Sequence, residues 1–198
     1  MERVLGHPPR PEAVDEHAVL APRPRRVVVD AADLDDGGRD ATIVFTRRQI
    51  TGFHQDEVGD WVAELDCLHG QHVRHRPPFR ERPWVTTEAG RAGRLGSGLG
   101  CPLCDRAELP DGLVVVRVAG PFDETTVPAG LRRAHRVAGG TWGRLVVLEG
   151  LVGFTLETEP RLERQLAAGD DQAIPPAVDH HLLIDGPVRL RVEFLSRP

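Results

Sequence analysis

GDDQAIPPAVDHH, residues Gly169–His181, decides how the second half of the chain is read. Gly169 is followed after five residues by Pro175, then after one more by Ala177 and after two more by His180. Proline donates no ladder hydrogen bond, so a strand here starts only past the Pro175–Pro176 turn. Its first inward residue is then His180, and His181 points to the opposite face because strand side chains alternate. Around this segment lie VVVRV, GRLVVLEG, LVGFTLE and VRLRVEFL, short β-rich runs separated by Gly or Pro with hardly any helical period. That texture predicts a β-barrel or sandwich over residues 107–198. A hairpin turn is expected at Glu149 and Gly150, and alternation in VRLRVEFL places Arg189, Arg191 and Glu193 on one face.

Upstream, over residues 42–106, RRQITGFHQDEVGDWVAELDC reads as a hairpin whose turn is Asp56–Asp60 and whose second strand delivers the chain to Cys67. TTEAGRAGRLG can form only a weak short helix, because Gly90 and Gly93 each cost about 1 kcal/mol against Ala. The three cysteines, Cys67 and the C-x-x-C pair Cys101 and Cys104, cannot all be paired in disulfides, and such short spacing is typical of metal or redox sites. CPLC can bring two thiolates to one ion, and CLH supplies a second knuckle. Zinc takes four N or S ligands in a tetrahedron, so one histidine completes the set. The expected ligands are Cys67, His69, Cys101 and Cys104, with His72 as the substitute for His69. The competing reading, a redox C-x-x-C beside an unrelated Cys67, lacks the βαβ pattern that would support it. The expected fold class is therefore mainly β: a small zinc-ribbon-like β-hairpin domain followed by a barrel.

Residues 1–41 hold five prolines, an acidic cluster at Asp33, Asp35, Asp36 and Asp40, and little periodicity, which predicts a flexible leader with at most a short strand at Val27–Val29. The start lacks the basic-then-apolar order of a secretory signal and no run approaches a membrane span, so a cytoplasmic chain with no membrane partner is expected. The net charge is -5. All basic residues are Arg, an effect of overall composition, so the seven Arg between Cys67 and Arg106 carry little weight as a nucleic-acid patch, even with Phe79 and Trp84 available for stacking. A protein partner is the preferred expectation for that domain.

Two resemblances add to this. GFHQDEVGDWVAELDCLHGQHVRHRPPFRERPWV with its C-x-x-C resembles a small bacterial domain of uncharacterised function; the glycine usual between its Cys and His is Leu68 here. His54, Gln55, Asp56, His72 and His75 belong to the shared motif. The second half resembles the TehB/YeaR-like cupins, related to tellurite-resistance proteins. FDETTVPAGL, AHRVAGGTWGRLVVLEG, IPPAVDHH and VEF carry the likeness, and the Gly169–His180 spacing matches the second cupin motif with Ala177 in place of its second Gly. This implies a cupin-type double-stranded β-barrel with a possible divalent metal, and by motif the ligands His135, His180 and Glu193. The first cupin motif is incomplete, since its His-x-His is reduced to His135. No Gly-rich strand-turn-helix for a methyl donor is present, so methyl transfer is not expected. The resulting expectation is a metal-binding stress-response protein whose cupin binds or detoxifies an oxyanion or other reactive small species. The alternative is a non-catalytic interaction or regulatory module with a protein or nucleic-acid partner.

Overall fold

The computed structural model describes residues 45–78 and 81–198; the expected leader, its strand at Val27–Val29, and Phe79 lie outside them. The chain is mainly β. Strands β1 (Arg47–Gln55), β2 (Trp61–Leu65), β3 (Gly70–His72) and β4 (Gly98–Gly100) form a sheet in the order β3-β2-β1-β4. β1 and β2 are the hairpin expected from the sequence, and Asp56 closes its turn by accepting the backbone N–H groups of Val58 and Asp60. The short helix α1 (Glu88–Ala92) starts at Thr87, whose hydroxyl accepts from the N–H of Gly90. Its five residues, with Gly90 inside and Gly93 at the C-cap, leave it dependent on packing. CPLC becomes one helical turn, α2 (Pro102–Asp105), with Pro102 at its first position, where no N–H is needed.

β5 (Val114–Asp123), β6 (Trp142–Leu156), β7 (Leu162–Ala167), β8 (Asp171–Ile174), β9 (His180–Leu183) and β10 (Val188–Ser196) form a second, curled sheet. The curl is built on β6. Its first half pairs with β8 and β10 and its second half with β7 and β9. The expected hairpin turn at Glu149 and Gly150 is instead continuous strand within the 15 residues of β6, beside a register shift in its pairing with β10. Gly150 has φ +83°, and a Cβ there would lie 2.2 Å from the Pro187 carbonyl oxygen, so only glycine lets β10 pass this close.

Among the described residues, two apolar clusters hold the sheets together. One lies within the curled sheet and includes Leu145, Val147, Phe154, Leu156, Leu182 and Leu190. The other surrounds the three cysteines and draws on both sheets, combining Ile50, Leu65 and Val85 with Trp142, Ala173 and Leu195.

Both residues that stand where the resembled motifs have glycine keep a left-handed backbone: Leu68 has φ 71° and Ala177 has φ 54°. The chain has changed the residue and kept the turn. Because Ala177 is exposed, Ala177→Gly relieves the strain without opening a cavity. The variant is expected to gain up to about 1 kcal/mol in urea unfolding, the left-handed penalty less the entropy glycine adds to the unfolded chain. A loss of stability would show that the turn is unstrained.

Candidate metal centre

The β2–β3 turn carries Cys67 and His69 on one side of a buried cluster, and α2 with its N-cap carries Cys104 and Cys101 on the other. Leu68 N–H donates to the Leu65 carbonyl at 2.8 Å and Cys104 N–H to the Cys101 carbonyl at 3.1 Å, so each pair sits on a closed turn. β1 ties the two together by pairing with β2 on one edge and β4 on the other, and Thr46 just before it accepts the Cys101 N–H at 2.9 Å. All four side chains are buried, and their ligand atoms lie within 4.8 Å of one another, a grouping unique among the described residues.

The distances fit one tetrahedral ion. With metal–sulfur bonds of about 2.3 Å and metal–nitrogen bonds of about 2.0–2.1 Å, a tetrahedron has S···S edges of about 3.8 Å and S···N edges of about 3.5 Å. Here the Sγ atoms of Cys67 and Cys101 are 3.8 Å apart. His69 Nδ1 lies 3.5 Å from Cys67 Sγ, 3.3 Å from Cys101 Sγ and 3.7 Å from Cys104 Sγ. His69 Nε2–H donates to the Glu108 carbonyl at 3.0 Å, which fixes the tautomer and leaves the Nδ1 lone pair facing the sulfurs. Its ring also meets Trp142 edge to face at 5.3 Å, and the Trp142 indole N–H donates to the Cys67 carbonyl at 2.8 Å.

Without an ion the three thiols share protons unequally. Hydrogen bonds from Cys101 and Cys104 push Cys67 far down, against its burial. For Cys101 the bond with Cys104 lowers the pKa, but the bond with Cys67, burial and the Cys67 charge prevail and push it up to about 12. Cys104 is raised by its bonds with Cys101 and Cys67 and by burial. One thiolate is favoured and two are resisted, whereas a divalent cation would hold all three ionised.

His72 is not in this group. It sits on the other face of the hairpin, where its Nε2 pairs with Asp56 Oδ2 at 2.9 Å. His75 accepts the Arg82 N–H through Nδ1 at 2.7 Å, and His54 pairs with Glu64 at 2.9 Å. Trp84 packs edge to face on Phe53.

In the second sheet, His135 and His180 come together and Glu193 does not join them. The two histidines exchange backbone hydrogen bonds of 2.9 and 3.0 Å, and their rings meet edge to face at 5.3 Å. His180 is 1% exposed and stacks on Phe154; its Nδ1–H donates to the Val178 carbonyl at 3.2 Å, and its buried Nε2 has no hydrogen-bond partner. Glu193 lies on the face of β10 opposite Leu190 and Val192, across the sheet from the core that holds His180. There its carboxylate accepts from Arg144 Nε and from Arg191 Nε, each at 2.8 Å. Burial opposes its ionisation, yet the bonds from Arg144 and Arg191 hold its carboxyl below the usual range. The expected three-ligand set of His135, His180 and Glu193 is thus reduced to two imidazoles. Alternation grouped Glu193 with Arg189 and Arg191 correctly, but that face is the ion-paired one. Glu193→Gln should accordingly leave the metal content unchanged while costing about 1–3 kcal/mol of stability from the lost charged bonds. Metal loss in this variant would restore Glu193 as a ligand.

Burial lowers the pKa of His180 to about 4. Its bond to Val178 and the charge of Asp179 act upward, and the charges of His135 and His181 downward. In the unfolded chain it titrates near 6.5, so the folded state is favoured fully above that value and loses stability as pH falls through the interval down to about 4, by up to about 3 kcal/mol. Urea unfolding of metal-free protein between pH 7.5 and 4.5 checks this: His180→Gln should flatten the dependence, and an unchanged slope would contradict it.

Two residues of the centre lie outside the sequence expectation, Arg48 and Trp142. Arg48 alternates with Ile50 on the buried side of β1, a charge at an apolar position that strand periodicity flags. Trp142 carried no comparable signal.

Fold and site together define a mainly β protein with a curled sheet and a buried Cys3His cluster able to hold a metal ion. Residues 51–108 match the model of a family described as a protein of unknown function (DUF3565), and residues 118–192 match the TehB-like domain. No curated protein matches. Among solved structures, a protein of E. coli strain K12 is 22% identical, with a TM-score of 0.42 over 46% of this chain and 97% of its own. TehB from Haemophilus influenzae is 19% identical, with a TM-score of 0.39 over 44% of this chain; the chain covers 32% of TehB. A cupin protein from Bacteroides fragilis is 15% identical, with a TM-score of 0.26 over 43% of this chain and 60% of its own.

Proposed function

We propose that the chain is a cytoplasmic metal-binding protein in which Cys67, His69, Cys101 and Cys104 hold a structural zinc ion. We assign residues 42–106 to the zinc domain and residues 107–198 to a cupin-type domain that captures a small oxyanion of the tellurite class or another reactive small species. The observation that carries the metal assignment is the set of S···S and S···N separations, 3.3–3.8 Å, which are the edges of a tetrahedron. Four protein donors leave no open position, the hallmark of a structural zinc site.

For the second domain, the tautomer of His180 decides what it can meet. Its Nδ1–H is committed to Val178, so Nε2 presents a lone pair, which repels an anion and attracts a cation. His135 and His180 are therefore assigned to a divalent cation. Such an ion, when bound by two imidazoles, has open positions through which an oxyanion can attach. The oxyanion class rests on the resemblance to tellurite-resistance cupins, with which the TehB-like match over residues 118–192 agrees. Metal analysis of the purified full chain should return one zinc that survives a mild chelator. Calorimetric titration with a divalent cation, then with tellurite, should give heats that vanish in His180→Ala. Absence of zinc would refute the first assignment, and identical heats in the variant the second.

A further inference from the structure

We infer that Arg48 is the countercharge that fits the cysteine–histidine centre to a divalent ion, an inference that rests on reading that centre as a metal site. Arg48 is 5% exposed, an unusual place for a guanidinium, which is always charged. Its Nε–H donates to Cys104 Sγ at 3.3 Å, and its Nη2 is buried with no hydrogen-bond partner. Among the described residues no carboxylate ion-pairs with it. Asp105 is engaged instead by the hydroxyl and backbone N–H of Thr46, and burial holds its carboxyl above the usual range although those bonds and the charges of Arg48 and Arg106 act downward. A buried cation is retained only where an opposite charge offsets its desolvation. Here the opposite charge in direct contact with it is the sulfur of Cys104, as part of the thiolate set.

Counted over the four ligands and Arg48 alone, the charge balance favours a divalent ion. Three thiolates and a neutral imidazole around a divalent cation leave one net negative charge, which a single guanidinium cancels. A monovalent ion would leave the buried group negative with Arg48 present, and a trivalent ion would leave it positive. Arg48 does not coordinate; it acts through the thiolates.

The test compares Arg48→Met and Arg48→Lys in the full chain. Zinc affinity is read by competition with a chromophoric chelator, and the ligand set by the thiolate-to-metal charge-transfer bands of the cobalt-substituted protein. Arg48→Met is expected to weaken zinc by about 10–100-fold with the cobalt bands retained, the scale on which partners of metal ligands act. Arg48→Lys keeps the charge and should remain within about tenfold of the unsubstituted chain. Equal affinity in Arg48→Met and the unsubstituted chain would overturn the inference, as would equal losses in both variants. If Arg48→Met does not fold, Arg48→Lys decides alone, a loss beyond tenfold counting against the countercharge. Failure of the unsubstituted chain to bind zinc at all would instead refute the metal reading beneath it.

Discussion

Stripping the metal with a strong chelator, or replacing Cys101 with Ser, is expected to unfold residues 47–105 and loosen the near end of the curled sheet. The four-stranded sheet has few apolar side chains of its own, and its core closes around the thiols of Cys67, Cys101 and Cys104. α1 has no buried residue and β3 and β4 are three residues each, so none of the three can hold the region together by itself. Structural zinc in small domains contributes about 10–16 kcal/mol of apparent binding free energy, comparable to the whole stability of a typical domain. The effect should not stop at the first sheet, because Trp142, Ala173 and Leu195 share this core. Hydrogen exchange should show protection lost across β1–β4 first, with the Trp142 end of β6 following and β9 largely retained. An unchanged melting curve after chelation would mean that the cluster contributes nothing to folding.

Trp142→Ala carries the second largest expected effect. The indole is completely buried, packs edge to face on His69 and donates to the Cys67 carbonyl, so it touches the metal ligands from the opposite sheet. Truncating a fully buried tryptophan costs about 3–5 kcal/mol through lost burial and the cavity left behind. The Cys67 carbonyl also loses its donor. Urea unfolding of zinc-loaded protein should show this loss together with weaker zinc retention, since the turn holding Cys67 and His69 is no longer braced. Trp142→Phe, which keeps one aromatic ring and removes the indole N–H donor, should lose less. If Trp142→Ala costs under about 1 kcal/mol, the two sheets are not coupled through this contact.

What the sequence disclosed follows physical range. The hairpin into Cys67 was legible because its turn chemistry and alternation lie within a few residues of each other. The cysteine spacing disclosed the donor types for the same reason. The C-x-H spacing already put His69 ahead of His72, but removing His72 as the substitute required the register of β2 and β3, which turns it outward to Asp56. Alternation also grouped Glu193 with its neighbours, but it cannot say which face of a strand is covered. That depends on β6 running through Gly150 where the sequence had promised a turn, and on a partner sheet 75 positions away along the chain, as Trp142 and Cys67 are. The shared core and the countercharge at Arg48 are contacts of this long-range kind. Leu68 and Ala177 mark the opposite case: the residue departs from the resembled motif while the backbone it sits on keeps the glycine-like conformation.

X-ray absorption at the zinc edge of the purified full chain tests the central claim most directly. Three sulfur scatterers at about 2.3 Å and one nitrogen at about 2.0–2.1 Å, with one zinc per chain, are the predicted result. A shell of oxygen and nitrogen alone, or two or fewer sulfurs per zinc, would contradict a centre built from Cys67, His69, Cys101 and Cys104.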